Sequence, residues 1–353
     1  MAQNNSKKLY GVIGSGSFGT AIANILSANN KVLLHIRRKE VMEQITKTGT
    51  NRGQALQKNI EMTLDIAEVC EKCTLIFLLV PSSNFRSMIR KAAPFLKPHH
   101  ILIHGTKGLN VVPPKGTDKL LPNVAVSRDN IRTMCDIISE ETVVLRMGCL
   151  SGPNLAREIS AGQPAATVIA SRFDEVIAAG KEALKSKRFR VYSSRDVLGV
   201  ELAGVFKNII AIASGMISGL NMGENARAML LTRGLGENIK LSRALGATTR
   251  SFLGIAGIGD LIATCSSKLS RNYRVGYGLA QNRSLDDILE ELGEVAEGVN
   301  TVKLAKGLSL HYQKDEYPII EALYQVLYEN RDLRAAIGDL MLHDLDIDAD
   351  FMD

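Results

Sequence analysis

At 353 residues the chain is too long for one ordinary hydrophobic core and, at roughly 100 to 200 residues per domain, is expected to form two domains. Hydrophobic residues at 45% and charged residues at 23% exclude a disordered or fibrous chain, and 5% aromatics without a Trp argue against a base-stacking surface. The net charge of +6 is spread along the chain, which argues against a nucleic-acid-binding tail and leaves a mild field suited to small anions.

The first residues, MAQNNSKKLY, contain no apolar signal-peptide core, and five cysteines without framework spacing fit a reducing compartment, so the expected location is the cytoplasm. Short apolar runs then alternate with amphipathic stretches: KLYGVIG, KVLLHI, CTLIFLLV and HHILIHG, followed by VVLRMGCLSGP, PAATVIAS and FRVYSS. That alternation predicts a doubly wound, Rossmann-type parallel sheet covered by helices over 1–194. From Arg195 the pattern changes to long helical segments broken by Gly turns, predicting an all-α C-terminal domain over 195–353. The irregular stretch 110–141 reads as an excursion between two sheet strands, and the acidic end DLDIDADFMD as a frayed tail.

Gly14-Ser15-Gly16-Ser17-Phe18-Gly19 directly follows the first predicted strand and opens the first predicted helix. A glycine triplet alone is weak, but this context is that of a dinucleotide turn. Gly14 permits the tight turn, Gly16 lets the backbone approach a pyrophosphate, and Gly19 lets helix and strand pack. Ser17 and Phe18 line the helix start, where unpaired N–H groups favour phosphate. An enzyme restricted to NAD carries Asp or Glu after the next strand; this chain carries Arg37-Arg38, which suits the 2′-phosphate of NADP and favours NADPH while leaving NAD open.

Cys70 and Cys73 form a single CxxC ahead of a predicted buried strand, without a second pair or a nearby His pair, so no metal is expected. His104 lies inside a predicted strand and reads as a packed residue, whereas Lys107, in Thr106-Lys107-Gly108, follows the carboxyl end of that strand, where ligands bind in open α/β folds. The apolar stretch 197–220 carries Glu201, Lys207 and Asn208, which points to a core helix rather than a membrane span. Lys207 is either a general acid for carbonyl reduction or a lysine paired with Glu201 or reaching the surface. Asp260 can cap the following helix or orient Lys207. Ser270, Arg271 and Asn272 form either a phosphate seat at a helix start or an exposed basic turn.

Taken in order, GSGSFGTAIA, VPS, GTKG, SGPNLAREI, VFKNIIAIASG, AGIGDLIATC, SRNYRVG and VAEGV resemble the soluble bacterial-type NAD(P)-dependent glycerol-3-phosphate dehydrogenases over nearly the whole chain. The resemblance implies NAD(P)H-dependent, reversible reduction of dihydroxyacetone phosphate to sn-glycerol 3-phosphate for phospholipid synthesis, by a homodimer. It implies Lys207 as proton donor and acceptor. Substrate contacts fall on Lys107, Gly152, Asn154, Lys207, Asp260, Ser270, Arg271 and Asn272. Cofactor contacts fall on Ser17, Phe18, Arg37, Lys107, Ala156, Arg271, Val295 and Glu297. Asn154 stands where the family often has Thr or Ser, and His35-Ile36 replaces a usual Trp-containing pair. Two other readings of the architecture are a reductase of hydroxy acids or ketopantoate-like substrates and a non-catalytic NAD(P)-binding sensor.

Overall fold

A computed structural model describes residues 7–112, 124–293 and 296–343. The acidic tail and part of the 110–141 excursion fall outside these ranges. The chain divides into two compact units: Met1–Lys107 with Thr133–Val197, and Gly108–Arg132 with Leu198–Asp353.

The first unit is built on eight strands: β1 (Leu9–Ile13), β2 (Lys31–His35), β3 (Ile60–Thr63), β4 (Leu75–Leu78), β5 (Ile101–His104), β6 (Met147–Ser151), β7 (Ala165–Ala170) and β8 (Phe189–Ser194). They run in the order β8-β7-β6-β5-β4-β1-β2-β3, whose 3-2-1-4-5-6 portion is the dinucleotide-binding order. Alternate residues enter opposite layers. Tyr10 and Val12 join the layer packed by α1 (Ser17–Ser27) and α7 (Asp174–Leu184), while Ile13, Leu33 and Ile76 join the other. That second layer is covered by α3 (Ile66–Lys72), α4 (Ser82–Ala92) and α5 (Met134–Glu141). Two further helices, α2 (Lys39–Thr48) and α6 (Ala156–Ser160), complete the unit.

Two features depart from the sequence expectation. Strand β3, IEMT, has no apolar run because it lies at the sheet edge, where Glu61 is exposed. Strand β7 pairs antiparallel with β6, whereas every other ladder of this sheet is parallel. The only helix linking these two strands, α6, has five residues, too few to carry a parallel crossover over the sheet face.

Cys70 and Cys73 are buried in the second layer, and burial pushes both thiols up to about 12, which removes them from redox or thiolate chemistry near neutrality.

The second unit is helical: α8 (Val197–Gly219), α9 (Glu224–Ala244), α10 (Asp260–Ser266), α11 (Arg271–Ala280), α12 (Leu285–Leu292), α13 (Glu297–His311), α14 (Pro318–Tyr328) and α15 (Leu333–Leu342). By length and composition α8 could cross a membrane, but 89% of its most apolar window is buried inside the protein. A helix apolar all round is stable when surrounded, and here α8 runs through the core of the unit. It packs closely against α11. A side chain at Gly215 would collide with the Tyr273 carbonyl, and one at Gly276 with the Ile212 carbonyl, so two glycines let the helix backbones touch. Part of the irregular excursion belongs to this unit: Val126 N donates to Gly307 O at 2.8 Å, and Val126 and Ile131 enter the helical core. The chain then returns to the sheet unit through α5, started by a capping box between Thr133 and Asp136.

One buried carboxyl group is structural. Glu237 of α9 accepts from Ile319 N at 2.7 Å and Ile320 N at 3.1 Å, capping α14 behind Pro318. Burial outweighs these two bonds and raises its carboxyl from 4.5 to about 8. The folded protein therefore holds a proton that the unfolded chain releases near pH 4.5, and stability falls as pH rises from about 4.5 to about 8. In urea unfolding between pH 5 and pH 8, Glu237→Gln is expected to flatten this decline, which amounts to on the order of 1 kcal/mol per pH unit.

Candidate active site

Each glycine of the turn after β1 has a different physical reason. Gly14 has φ +120°, and a Cβ there would collide with the Leu79 carbonyl. A Cβ at Gly19 would collide with the Gly14 carbonyl, so helix and turn pack only without it. A Cβ at Gly16 would meet nothing within 4 Å. That open side lies at the N-cap of α1, which has no side-chain cap and no acidic residue in its first turn. The N–H groups of Ser17 and Phe18 and the positive end of an eleven-residue helix are thus available to a pyrophosphate. Arg37 and Arg38 follow β2 with exposed side chains, and no carboxylate stands at that position to repel a 2′-phosphate.

Beyond β5, Lys107 donates from Nζ to the Gly152 carbonyl at 3.3 Å, bringing together two residues expected at the substrate. Gly152 has φ +155°, and a Cβ there would press to 2.8 Å from the Ala166 carbonyl. Asn154 Nδ2 donates to Thr167 Oγ1 at 2.9 Å, leaving Asn154 Oδ1 a buried acceptor without a partner among the described residues. Such an acceptor fits a ligand hydroxyl. Ala156 begins α6 directly after this loop. His104 is buried with its ring edge-on to Phe85 at 5.8 Å.

In the second unit, Lys207 lies in mid-α8 at 6% exposure. Its Nζ donates to Asp260 Oδ1 and to Thr264 Oγ1, each at 2.5 Å. Asp260 is the first residue of α10, after a π-type turn at Ile255–Gly259; the cap position is Gly259. The Asp260 carboxylate is therefore turned to the lysine and does not cap the helix. Thr264 Oγ1 also reaches the Asp260 carbonyl at 2.7 Å, so one turn of α10 offers two oxygens to a single ammonium.

The segment Ser270-Arg271-Asn272 opens α11. Ser270 is the N-cap and accepts from Tyr273 N at 3.3 Å. Arg271 is exposed at the positive end of a ten-residue helix whose first turn has no acid, an arrangement that an anion would stabilise. Asn272 is buried, and its Oδ1 accepts from Gly298 N at 3.0 Å in the first turn of α13. A Cβ at Gly298 would come within 2.8 Å of the Asn208 carbonyl, so the start of α13, with Glu297, presses against the residue next to Lys207. Val295 lies outside the described residues.

Sequence reasoning misses Thr264, although its i, i+4 spacing from Asp260 is the signal that would find it. It also misses Asn51 and Gln54, which bond the glycine turn from 36 and 37 residues further along the chain.

The sequence model of the NAD-dependent glycerol-3-phosphate dehydrogenase N-terminus matches residues 10–177, and that of the C-terminus matches 196–338. The chain is 41% identical over 348 residues to a protein of Teredinibacter turnerae named glycerol-3-phosphate dehydrogenase (NAD(P)+), covering 96% of each. It is 40% identical to a protein of the same name from Ectopseudomonas mendocina, covering 97% of this chain and 96% of the relative. A crystal structure of glycerol-3-phosphate dehydrogenase from Coxiella burnetii superposes with a TM-score of 0.84 at 31% identity, covering 96% of this chain and 99% of that one.

Breaking the buried pair from one side leaves an unpaired charge. Asp260→Ala is expected to lower unfolding free energy by about 3 kcal/mol or more, and the double change Lys207→Met with Asp260→Leu by clearly less. Equal losses in denaturant titrations would count against the pairing.

Proposed function

Because this chain belongs to the NAD-dependent glycerol-3-phosphate dehydrogenase family, we propose that Lys207, held by Asp260 and Thr264, is the proton donor in the reduction of a small phosphorylated ketone. The reaction is the reversible, NAD(P)H-dependent reduction of dihydroxyacetone phosphate to sn-glycerol 3-phosphate, the backbone precursor of glycerophospholipids. A reduced dinucleotide held at the glycine turn would supply the hydride for C2 of the ketone. Lys207 gives a proton to the ketone oxygen as negative charge develops there, and takes it back in the reverse direction. The single observation that carries this assignment is the convergence of Asp260 and Thr264 on Lys207 Nζ in a mostly apolar helix.

The remaining residues bind and orient. Lys107 adds positive charge beside the carbonyl, with Gly152 and Asn154 forming the polar loop around the substrate hydroxyl. Arg271 and Asn272 take the phosphate, supported by the positive end of α11, whose first turn holds no acidic residue. Asn272 serves best through its amide nitrogen, since Oδ1 is committed to Gly298. Holding the phosphate fixes the ketone so that its oxygen meets Lys207 without a search.

The turn Gly14–Gly19 takes the pyrophosphate, and Ala156, Val295 and Glu297 complete the cofactor contacts. Arg37, with Arg38 beside it, supports NADPH over NADH. We further propose that the protein is a cytoplasmic homodimer; sedimentation equilibrium of the purified protein tests the dimer.

The assay follows NADPH and NADH oxidation separately with dihydroxyacetone phosphate. Lys207→Ala is expected to lower kcat by about 10² to 10⁴. Near-normal turnover would remove the acid assignment. Arg271→Ala is expected to raise the substrate KM by roughly 10- to 100-fold, and an unchanged KM would move the phosphate site elsewhere. Arg37→Ala is expected to raise KM for NADPH more than for NADH.

A further inference from the structure

The glycine turn is gripped from behind by a two-residue hairpin. Arg52 and Gly53 have φ of +49° and +77°, the signs of a type I′ turn, and Asn51 pairs directly with Gln54 across it. Residues directly opposite in an antiparallel pair project from the same face, so the hairpin presents two amide side chains side by side. Both are buried, Asn51 at 2% and Gln54 at 6% exposure.

Asn51 Nδ2 donates to the Ser15 carbonyl and to Thr20 Oγ1, each at 2.8 Å. Thr20 donates to the Gly16 carbonyl from its N at 2.9 Å and its Oγ1 at 3.0 Å. Gln54 Nε2 donates to the Ser17 carbonyl at 2.9 Å, and Ser160 Oγ donates to Gln54 Oε1 at 2.5 Å. Three consecutive carbonyls, those of residues 15, 16 and 17, are thus held by partners within this unit. In a trans peptide the carbonyl and the following N–H point in opposite directions. Holding these carbonyls therefore also sets the direction of the N–H groups of Gly16, Ser17 and Phe18, on the side where Gly16 leaves open space.

We propose that Asn51 and Gln54 are positioning residues for the dinucleotide: without touching it, they hold the turn with its N–H groups already aimed at the pyrophosphate. Gln54 has a second connection. Through Ser160 it ties the turn to α6, the helix that follows the Gly152–Asn154 loop. Cofactor turn and substrate loop are thereby braced by one side chain. This inference rests on the reading of the turn as a dinucleotide site.

The test uses Gln54→Met and Asn51→Leu in the full-length protein, which keep bulk and remove the donors. Asn59→Ala is the control, because it cuts a similar amide-to-carbonyl bond, Asn59 Nδ2 to Ser27 O at 3.0 Å, at the far end of α1. Dissociation constants for NADPH are measured by fluorescence titration in the absence of substrate, alongside thermal midpoints and steady-state kinetics. The expected result for Gln54→Met is at least a fivefold weaker NADPH affinity and a matching rise in KM for NADPH, with kcat within threefold of the parent. Asn51→Leu is expected to show the same split more strongly, and Asn59→Ala to lower the thermal midpoint with affinity unchanged. NADPH affinity within twofold of the parent in Gln54→Met would overturn the proposal, whether or not Asn51→Leu folds. If the parent protein binds neither NADPH nor NADH, the dinucleotide reading fails first, and the proposal falls with it.

Discussion

An ammonium group in the middle of an apolar helix is the constraint around which the second unit is arranged. Taking such a charge out of water costs several kcal/mol, and the cost is offset only where an opposite charge and further hydrogen bonds meet it in good geometry. Lys207 therefore requires α10 to arrive with Asp260 and Thr264 on the face turned toward α8. The π-type turn at Ile255–Gly259 precedes that helix and leaves Asp260 inside its first turn, free of capping duty. Such a pair adds little net stability by comparison with a packed apolar pair, so its presence is better explained by chemistry than by folding.

Close backbone approach does the rest of the positioning. Gly215 and Gly276 let α8 and α11 touch, and Gly298 lets the start of α13 press on both Asn208 and Asn272. The basic turn at Ser270 to Asn272 is thereby carried on a helix docked directly against the one bearing Lys207. In the sheet unit glycines have the same effect at Gly14, Gly19 and Gly152, each placed where a side chain would strike a carbonyl. Gly16, in the same turn as Gly14 and Gly19, instead faces open space.

The architecture is legible from the sequence where burial is symmetrical and local. Runs such as CTLIFLLV and HHILIHG are buried on both faces, so their strands are visible without any partner. Edge strand β3 lacks that signal, and the antiparallel return of β7 is a matter of connection geometry that apolar periodicity does not record. Likewise the stretch 110–141 reads as an excursion between two sheet strands, but its residues Val126 and Ile131 find their burial in the helical unit. The site divides in the same way. The turn at Gly14, Arg37 and the polar pair Lys207-Asn208 are conspicuous because each contradicts its surroundings. Thr264, Asn51 and Gln54 are ordinary polar residues whose importance comes from what lies opposite them.

The sequence alone determined the glycine turn, since a strand, three spaced glycines and a helix start are contiguous and need no distant partner. It also determined that Lys207 must be satisfied by something, because an apolar helix cannot hold a bare charge. Only the tertiary structure decided that Asp260 and Thr264 meet it. It likewise decided that the glycine turn is held from behind by a hairpin at Asn51 and Gln54. Both outcomes depend on hydrogen bonds between residues 31 to 57 positions apart, and no local pattern of polarity encodes which distant donor will face which acceptor.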